Sequence, residues 1–245
     1  MTDQGVQFPK FYVTAASACP YIDGQEERKV FTELQGADAS ALNEALGKVG
    51  FRRSQTVVYR PACENCAECI SVRVQAPLYA PSRSLRRIAK LNSDLTSEVR
   101  PAIATDEQFD LLSRYLSARH GDGSMAGMTR EEYADMVESS PVNTISIEYR
   151  RALSRELIAV ALTDQMSDGM SMVYSFFDPD EERRSIGTYL IHDHILRSQQ
   201  ANQEFVYLGY YVKDSPKMSY KARFKPLERL GPNGWDAFDP QSQDV

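Results

Sequence analysis

Three stretches, Asn143-Thr-Ile-Ser-Ile-Glu-Tyr-Arg150, Glu156-Leu-Ile-Ala-Val-Ala-Leu-Thr163 and Met170-Ser-Met-Val-Tyr-Ser-Phe-Phe177, follow one another closely, and their reading decides the fold. In the first, Ile145, Ile147 and Tyr149 fall on one side of an alternating pattern, the period of a strand. The second is apolar through Leu157-Ile-Ala-Val-Ala-Leu162, and the third is rich in Met and aromatic residues. Tight-turn signals such as Asp168-Gly169 separate them, so three consecutive strands of an antiparallel meander are expected. Next come Asp178-Pro179-Asp180, a polar loop to Ser185, and a helix that Gly187 opens and that runs to about Ala201. A strand over Glu204–Val212 and a loop with a short helix around Ser215–Phe224 complete the order.

Upstream, the chain reads as short strands and turns with one helix over Ala39–Lys48, which Gly50 follows. Pro77-Leu-Tyr-Ala-Pro81-Ser-Arg-Ser-Leu85 interrupts the pattern and marks the best boundary, giving an N-terminal region of residues 1–85 and a C-terminal region of 86–240. Ser82–Asn92 reads as a basic helix. Thr105–Arg119 reads as an amphipathic one, with Asp106 and Glu107 in its first turn and Phe109, Leu112, Tyr115 and Leu116 on one face. There is no internal repeat and no low-complexity segment.

At 245 residues and 42% hydrophobic composition the chain can build one large core or two small ones. No apolar run approaches the ~18 residues of a membrane span. Met1-Thr-Asp-Gln-Gly-Val lacks the basic and apolar regions of a signal peptide, so a cytoplasmic location is expected. There thiols stay reduced, and clustered cysteines are read as ligands before disulfides. Cys63-Glu-Asn-Cys66-Ala-Glu-Cys69 with the distant Cys19 matches the ligand count of a tetrahedral metal site or an iron–sulfur site. Lying between the strand-like runs Gln55–Arg60 and Ile70–Gln75, the cluster is expected to cap a hairpin.

The net charge of −6 hides an asymmetry. Residues 51–100 hold nine Lys and Arg against four acids, and residues 211–230 hold six against two. Residues 101–170 reverse the balance, with twelve Asp and Glu against six Arg. Two basic stretches on an acidic chain read either as solvated surface or as a localised anion-binding face.

The order of three strands, loop, helix, strand and helix resembles the core of GNAT-type acyltransferases. The expected class is therefore α/β (α+β), a GNAT-like core with a smaller cysteine-containing N-terminal region packed on it. In that core the loop before the central helix presents backbone N–H groups to an anionic acyl carrier. Ser185-Ile-Gly187-Thr188 occupies this place, with Arg183 and Arg184 just ahead.

More specific segments are Cys19-Pro-Tyr, Tyr59-Arg-Pro-Ala-Cys-Glu-Asn-Cys-Ala-Glu-Cys-Ile-Ser-Val-Arg73, Arg119-His-Gly-Asp-Gly-Ser-Met125, Phe177-Asp-Pro-Asp180, Ser185-Ile-Gly-Thr-Tyr-Leu190, and Tyr207-Leu-Gly-Tyr-Tyr211 through Lys217-Met-Ser-Tyr-Lys-Ala-Arg-Phe-Lys-Pro-Leu-Glu228. Together they resemble the arginyl-tRNA–protein transferase family, most closely its short bacterial aspartate/glutamate leucyltransferase branch. The resemblance implies transfer of an amino acid from its tRNA, leucine from Leu-tRNA in the short branch. The acceptor is the α-amino group of proteins beginning with Asp or Glu, the tagging step of an N-degron pathway.

Such chemistry is undemanding. An aminoacyl ester is already activated, and an α-amino group with a pKa of about 8 is appreciably neutral at cytosolic pH. Transfer itself therefore requires no cofactor. The enzyme has to align two reactants, worth ~7–11 kcal/mol when done well, and to polarise a carbonyl. Tyr207, Tyr210 and Tyr211 flank the place where a GNAT-type core splays. Strand alternation puts Tyr207 and Tyr211 on one face and Tyr210 on the other. They read as core aromatics or as contacts to the reacting groups. Asp178 and Asp180 read as a turn signal, with Asp178 the leading carboxylate for orienting the ammonium group.

Lys213, Lys217, Tyr220, Lys221 and Arg223 mix cations with an aromatic ring, as suits a single-stranded tRNA end. Arg73 and Arg223 fit the acceptor carboxylate through the guanidinium fork. Arg184, Ser185, Gly187 and Thr188 are expected at the carrier. His192 and His194 stand two apart on a helix and point apart, so they are read as satisfied histidines rather than a ligand pair. His120 stands beside Gly121-Asp-Gly123, a loop that could cover a site, which the sequence does not show. Cys19, Cys63, Cys66 and Cys69 remain open to structural zinc, an iron–sulfur cluster or metal-free thiols. The remaining functional alternatives are an arginyl donor and a non-catalytic metal- and tRNA-binding module. An acetyl-CoA-dependent acetyltransferase is disfavoured by a loop without a Gly-rich phosphate cradle.

Overall fold

The computed structural model describes residues 9–119, 125 and 127–240. His120, the Gly121–Gly123 loop and most of the 119–125 motif lie outside the described residues.

The N-terminal region contains β1 (Tyr12–Val13), β2 (Ser17–Ala18), β3 (Glu26–Glu27), β4 (Lys29–Glu33), α1 (Ala39–Lys48), β5 (Arg52–Ser54) and β6 (Val57–Pro61). Strands β1, β4, β6 and β5 form a small sheet in that order, and β2 pairs with β3. Leu34, Ala39 and Val58, with Leu42, Leu46 and Phe51 against them, make its core.

The chain then enters a larger sheet through β7 (Ile70–Gln75) and continues with α2 (Arg83–Leu91), β8 (Leu95–Pro101), α3 (Asp106–Arg119) and α4 (Arg130–Glu138). The meander follows as β9 (Thr144–Arg151), β10 (Leu157–Met166) and β11 (Gly169–Phe177), then α5 (Ile186–Gln200), β12 (Phe205–Tyr211), α6 (Pro216–Ser219), β13 (Leu227–Gly231) and β14 (Gly234–Ala237). The eight strands run in the order β14-β13-β7-β12-β11-β10-β9-β8. All neighbours are antiparallel except β11 and β12, which α5 joins as a crossover. The meander, the helix opening at Gly187 and the following strand thus stand where the sequence places them, in a mixed α+β fold.

Central β10 is buried along almost its whole length because helices cover both faces. On one side Ile158, Ala159 and Ala161 pack with Ile186 and Leu190 of α5. On the other, Val160, Leu162 and Phe176 pack with Leu111, Leu112 and Leu116 of α3 and Tyr133 and Val137 of α4. Helix α3 is rolled from the expected face. Gln108 is buried because its amide donates to Glu148 Oε1 at 2.8 Å and accepts from the Tyr133 hydroxyl at 2.9 Å, which leaves Phe109 and Tyr115 partly buried. His192 and His194 are both buried and satisfied: His192 Nδ1 meets the Tyr79 hydroxyl at 2.8 Å, and His194 meets Thr163 Oγ1 at 2.9 Å and Leu190 O at 2.7 Å. Burial lowers both pKa values.

The expected hairpin at the cysteines does not form. Strand β6 belongs to the small sheet and β7 to the large one, between β12 and β13, so the Cys63–Cys69 segment crosses from sheet to sheet. Two strand-like runs with a turn between them fit a hairpin locally, but β7 finds an apolar surface on β12 and β13 that β6 does not offer.

The two sheets are joined by a buried ion pair. Arg53 Nε and Nη2 each approach an oxygen of Asp164 at 2.6 Å, and both side chains are 1% exposed. The Thr144 hydroxyl donates to Asp164 Oδ1 at 2.7 Å, and Arg53 Nη1 donates to Gln55 O at 2.8 Å. A charge stranded by removing its partner inside a protein costs far more than the pair itself contributes. Asp164→Ala is therefore expected to destabilise the protein by about 3–5 kcal/mol, read as a lower urea midpoint, and Arg53→Met with Asp164→Leu to recover most of that loss.

Candidate active site

Strands β11 and β12 are in register at only three positions, Gly169↔Phe205, Met170↔Val206 and Ser171↔Tyr207, and then part. The closed end is tight: a Cβ at Gly169 would stand 1.9 Å from Phe205 O, so only glycine fits there. Beyond Ser171 a wedge opens between the strands, and two cations from elsewhere in the chain enter it. Arg52 of β5 donates from Nη2 to Met172 O at 2.7 Å. Lys221, in the turn after α6, donates from Nζ to Tyr210 O at 2.6 Å. Burial lowers the Arg52 pKa, and burial with the neighbouring Arg52 charge brings Lys221 down to about 7.

The tyrosines differ from simple alternation. The β12–β7 register slips between Tyr207 and Gly209, where Gly209 adopts φ +79°. This bulge returns Tyr210 to the face of Tyr207 and sends Tyr211 to the other, into the core with Val206, Leu208 and Phe238. The Tyr210 hydroxyl lies 2.9 Å from Gly50 O and 3.1 Å from Tyr59 O, pinning the small sheet over the strand. Tyr207 sits at the closed end, donating to Asp168 Oδ2 at 3.0 Å and accepting from Arg73 at 3.2 Å. Burial raises both phenol pKa values.

Other expected site residues are already engaged. Both oxygens of buried Asp178 face Arg114, at 3.1 and 3.0 Å, and Oδ1 also accepts from Asp180 N at 3.0 Å. Arg73 pairs with Glu228 at 2.7 Å and stacks 3.5 Å from the Phe205 ring centroid and 4.3 Å from that of Trp235. It is thus saturated by an internal carboxylate rather than presented to one from outside. Arg184 donates to Asn92 Oδ1 at 3.1 Å and Leu91 O at 3.0 Å and pairs with Asp94, which latches the end of α2 to the start of α5. Ser185 is the left-handed residue before α5, its carbonyl accepting from Thr188 N at 3.0 Å, and Gly187 packs against the Phe177 ring.

Along the open rim, Lys213, Lys217 and Arg223 are exposed, and Tyr220 is half-buried with its hydroxyl pKa pushed up to about 12 by burial. Lys221 of the same segment points inward, 7% exposed, and is not part of this surface. Arg52 carries little signal in the sequence. Its only signal is that Arg52-Arg53 form an adjacent pair in a short strand, where alternation sends one cation to each face.

Cys19, Cys63, Cys66 and Cys69 line one cavity with Tyr21, Lys29, Tyr59 and Tyr210. Burial, and then the three neighbouring thiols, push Cys69 up to about 12. Four thiols are the right donors for zinc or an iron–sulfur cluster. Their placement is not: among the described residues no three His, Cys, Asp or Glu side chains stand where they could hold a metal ion.

Gly209 adopts φ +79°, a region that disfavours side chains, while a Cβ there would meet Arg52 Nε at 3.4 Å, ordinary van der Waals contact. Gly209→Ala is expected to lower stability by about 1–3 kcal/mol through the strained φ, read as a lower thermal midpoint, with the Arg52 guanidinium left on Met172 O.

Two family models match the chain: arginine-tRNA-protein transferase, N terminus, over residues 17–87, and arginine-tRNA-protein transferase, C terminus, over residues 107–231. A protein of Sphingopyxis alaskensis named aspartate/glutamate leucyltransferase is 51% identical, over 96% of this chain and 93% of its own length. One of the same name from Afipia carboxidovorans is 52% identical, over 96% and 95%. Among solved structures, a tandem GNAT protein from the clavulanic acid biosynthesis pathway aligns with a TM-score of 0.41 at 11% identity, over 91% of this chain and 65% of that one. With both halves matched and half of its residues shared with full-length relatives, this chain belongs to the arginine-tRNA-protein transferase family.

Proposed function

We propose that the protein transfers leucine from Leu-tRNA to the N-terminal α-amino group of proteins beginning with Asp or Glu, marking them for N-degron degradation in the cytoplasm. The observation that carries this reading is the wedge that opens after three paired residues of β11 and β12. The names of the relatives at 51–52% identity supply donor and acceptor. No helix among the described residues is long and apolar enough to cross a membrane.

The acceptor amine enters the wedge in its neutral form and attacks the ester carbonyl carbon of the 3′-leucyl group. A C–N bond forms, the C–O bond to the tRNA breaks, the amine loses a proton and the departing 3′ oxygen gains one. Alignment is the main contribution, as expected for an already activated ester. Lys213, Lys217 and Arg223 border the open rim beside Tyr220, where cations meet phosphates and a ring stacks a base. Tyr210 is the tyrosine set beside Arg52 and Lys221, whereas Tyr207 and Tyr211 support the strand from the closed end and from the core. Asp178, with both oxygens on Arg114 at the end of β11, fixes that strand end and does not contact the acceptor amine.

Transfer needs no cofactor in this scheme, and the thiol cavity holds the crossing between the sheets. Protein purified without oxygen is expected to contain zinc or iron well below one atom per chain. A full equivalent by metal analysis would assign the cysteines as ligands after rearrangement of the 63–69 segment. For the reaction, radiolabelled leucyl- and arginyl-tRNA are offered with peptides beginning Asp, Glu, Lys or Ala. Leucine is expected on Asp and Glu only. Arginine transferred at an equal rate would overturn the donor, and no transfer from either tRNA would overturn the enzyme.

A further inference from the structure

Arg52 and Lys221 differ from the other inward-facing cations of the fold. Arg53 has Asp164, Arg73 has Glu228, Arg150 has Glu107 and Glu148, Arg184 has Asp94, and Arg197 has Asp193. Among the described residues no carboxylate stands at ion-pair distance from Arg52 or Lys221, and the two cations repel each other. Asp164, the carboxylate nearest in effect to Arg52, is committed to Arg53 at 2.6 Å. Each cation satisfies a main-chain carbonyl where the strands part, Met172 O and Tyr210 O. A neutral amide or hydroxyl would do that without placing two like charges in a half-buried gap. Of the five N–H donors of a guanidinium, Arg52 uses one on Met172 O, which leaves a fork for a planar anion.

We propose that Arg52, assisted by Lys221, binds the side-chain carboxylate of the acceptor's N-terminal Asp or Glu inside the β11–β12 wedge. This rests on the transfer reaction proposed above and names the residues that select its acceptor. The acidic group of such an acceptor is only two or three carbons from the reacting nitrogen, so its reader has to stand in the same gap as the amine. Arg73 is saturated by Glu228, and Arg223 lies exposed on the rim. Arg52 reaches the gap from β5, with Nη2 on Met172 O at 2.7 Å. A desolvated cation also separates a carboxylate from its amide isostere more sharply than one in water, since the isostere leaves the cations unpaired.

The test compares kcat/KM for peptides beginning Asp, Asn, Glu and Gln at saturating Leu-tRNA, in wild type, Arg52→Gln, Arg52→Lys and Lys221→Met. Thermal unfolding and Leu-tRNA affinity are measured alongside. The Asp-over-Asn preference is expected to fall about tenfold or more in Arg52→Gln, less in Arg52→Lys, and severalfold in Lys221→Met, with Leu-tRNA affinity held. Lys221→Met replaces a buried cation by an apolar chain of similar length, so it carries the test if Arg52→Gln does not fold. Equal losses on Asp and Asn would reduce both residues to structural caps and overturn the proposal. Lost Leu-tRNA affinity with an intact preference would overturn it in favour of a phosphate site. A wild type that transfers without preferring Asp to Asn removes the acceptor reading and this proposal together. One that prefers Asp but takes another aminoacyl-tRNA overturns only the donor and leaves the ratio decisive.

Discussion

The separation of β11 from β12 is the constraint on which the rest of the molecule depends. Two parallel strands joined by a crossover helix ordinarily zip along their length. Here the tight contact of Gly169 with Phe205 closes one end, and the bulge at Gly209 turns β12 away. Parting strands leave main-chain carbonyls that must find donors, since an unpaired buried carbonyl is costly. Arg52 and Lys221 meet that need from two remote segments, which makes the small N-terminal sheet part of the wall of the wedge and not an appendage to it.

That role explains how strongly the small sheet is anchored. The Arg53–Asp164 pair with Thr144, the Tyr210 hydroxyl near Gly50 and Tyr59 carbonyls, and the Trp235 indole donating to Lys48 O at 2.9 Å all cross the same boundary. Adjacent arginines in β5 divide the labour. One carries a matched partner and fixes position, and its neighbour carries none and faces the wedge. The thiol segment, which crosses between the sheets at the same corner, lines a cavity that includes Tyr210. Scaffold and wedge therefore meet at one side chain.

Much of the framework was legible from local pattern. The alternation of Ile145, Ile147 and Tyr149 and the apolar run of β10 identified the meander, and the helix and strand after it followed from order alone. The site was less so. Arg73, Arg184 and Lys221 look alike in sequence as basic residues near special motifs. One is matched by Glu228, 155 residues away, one ties α2 to α5, and one is turned inward. Tyr207, Tyr210 and Tyr211 were assigned faces by a two-residue period that a single bulge resets.

By itself the sequence determined the order of the elements, the cysteine cluster, the two basic stretches and the motifs shared along the chain with one family, because these depend on residues close to one another. Only the tertiary structure decided which cations are spent on internal carboxylates and which are left unmatched. It also decided that the cysteine segment bridges two sheets instead of capping a hairpin. Those outcomes turn on pairings between residues far apart in the chain, and local propensity carries no information about which distant carboxylate or strand a residue will meet.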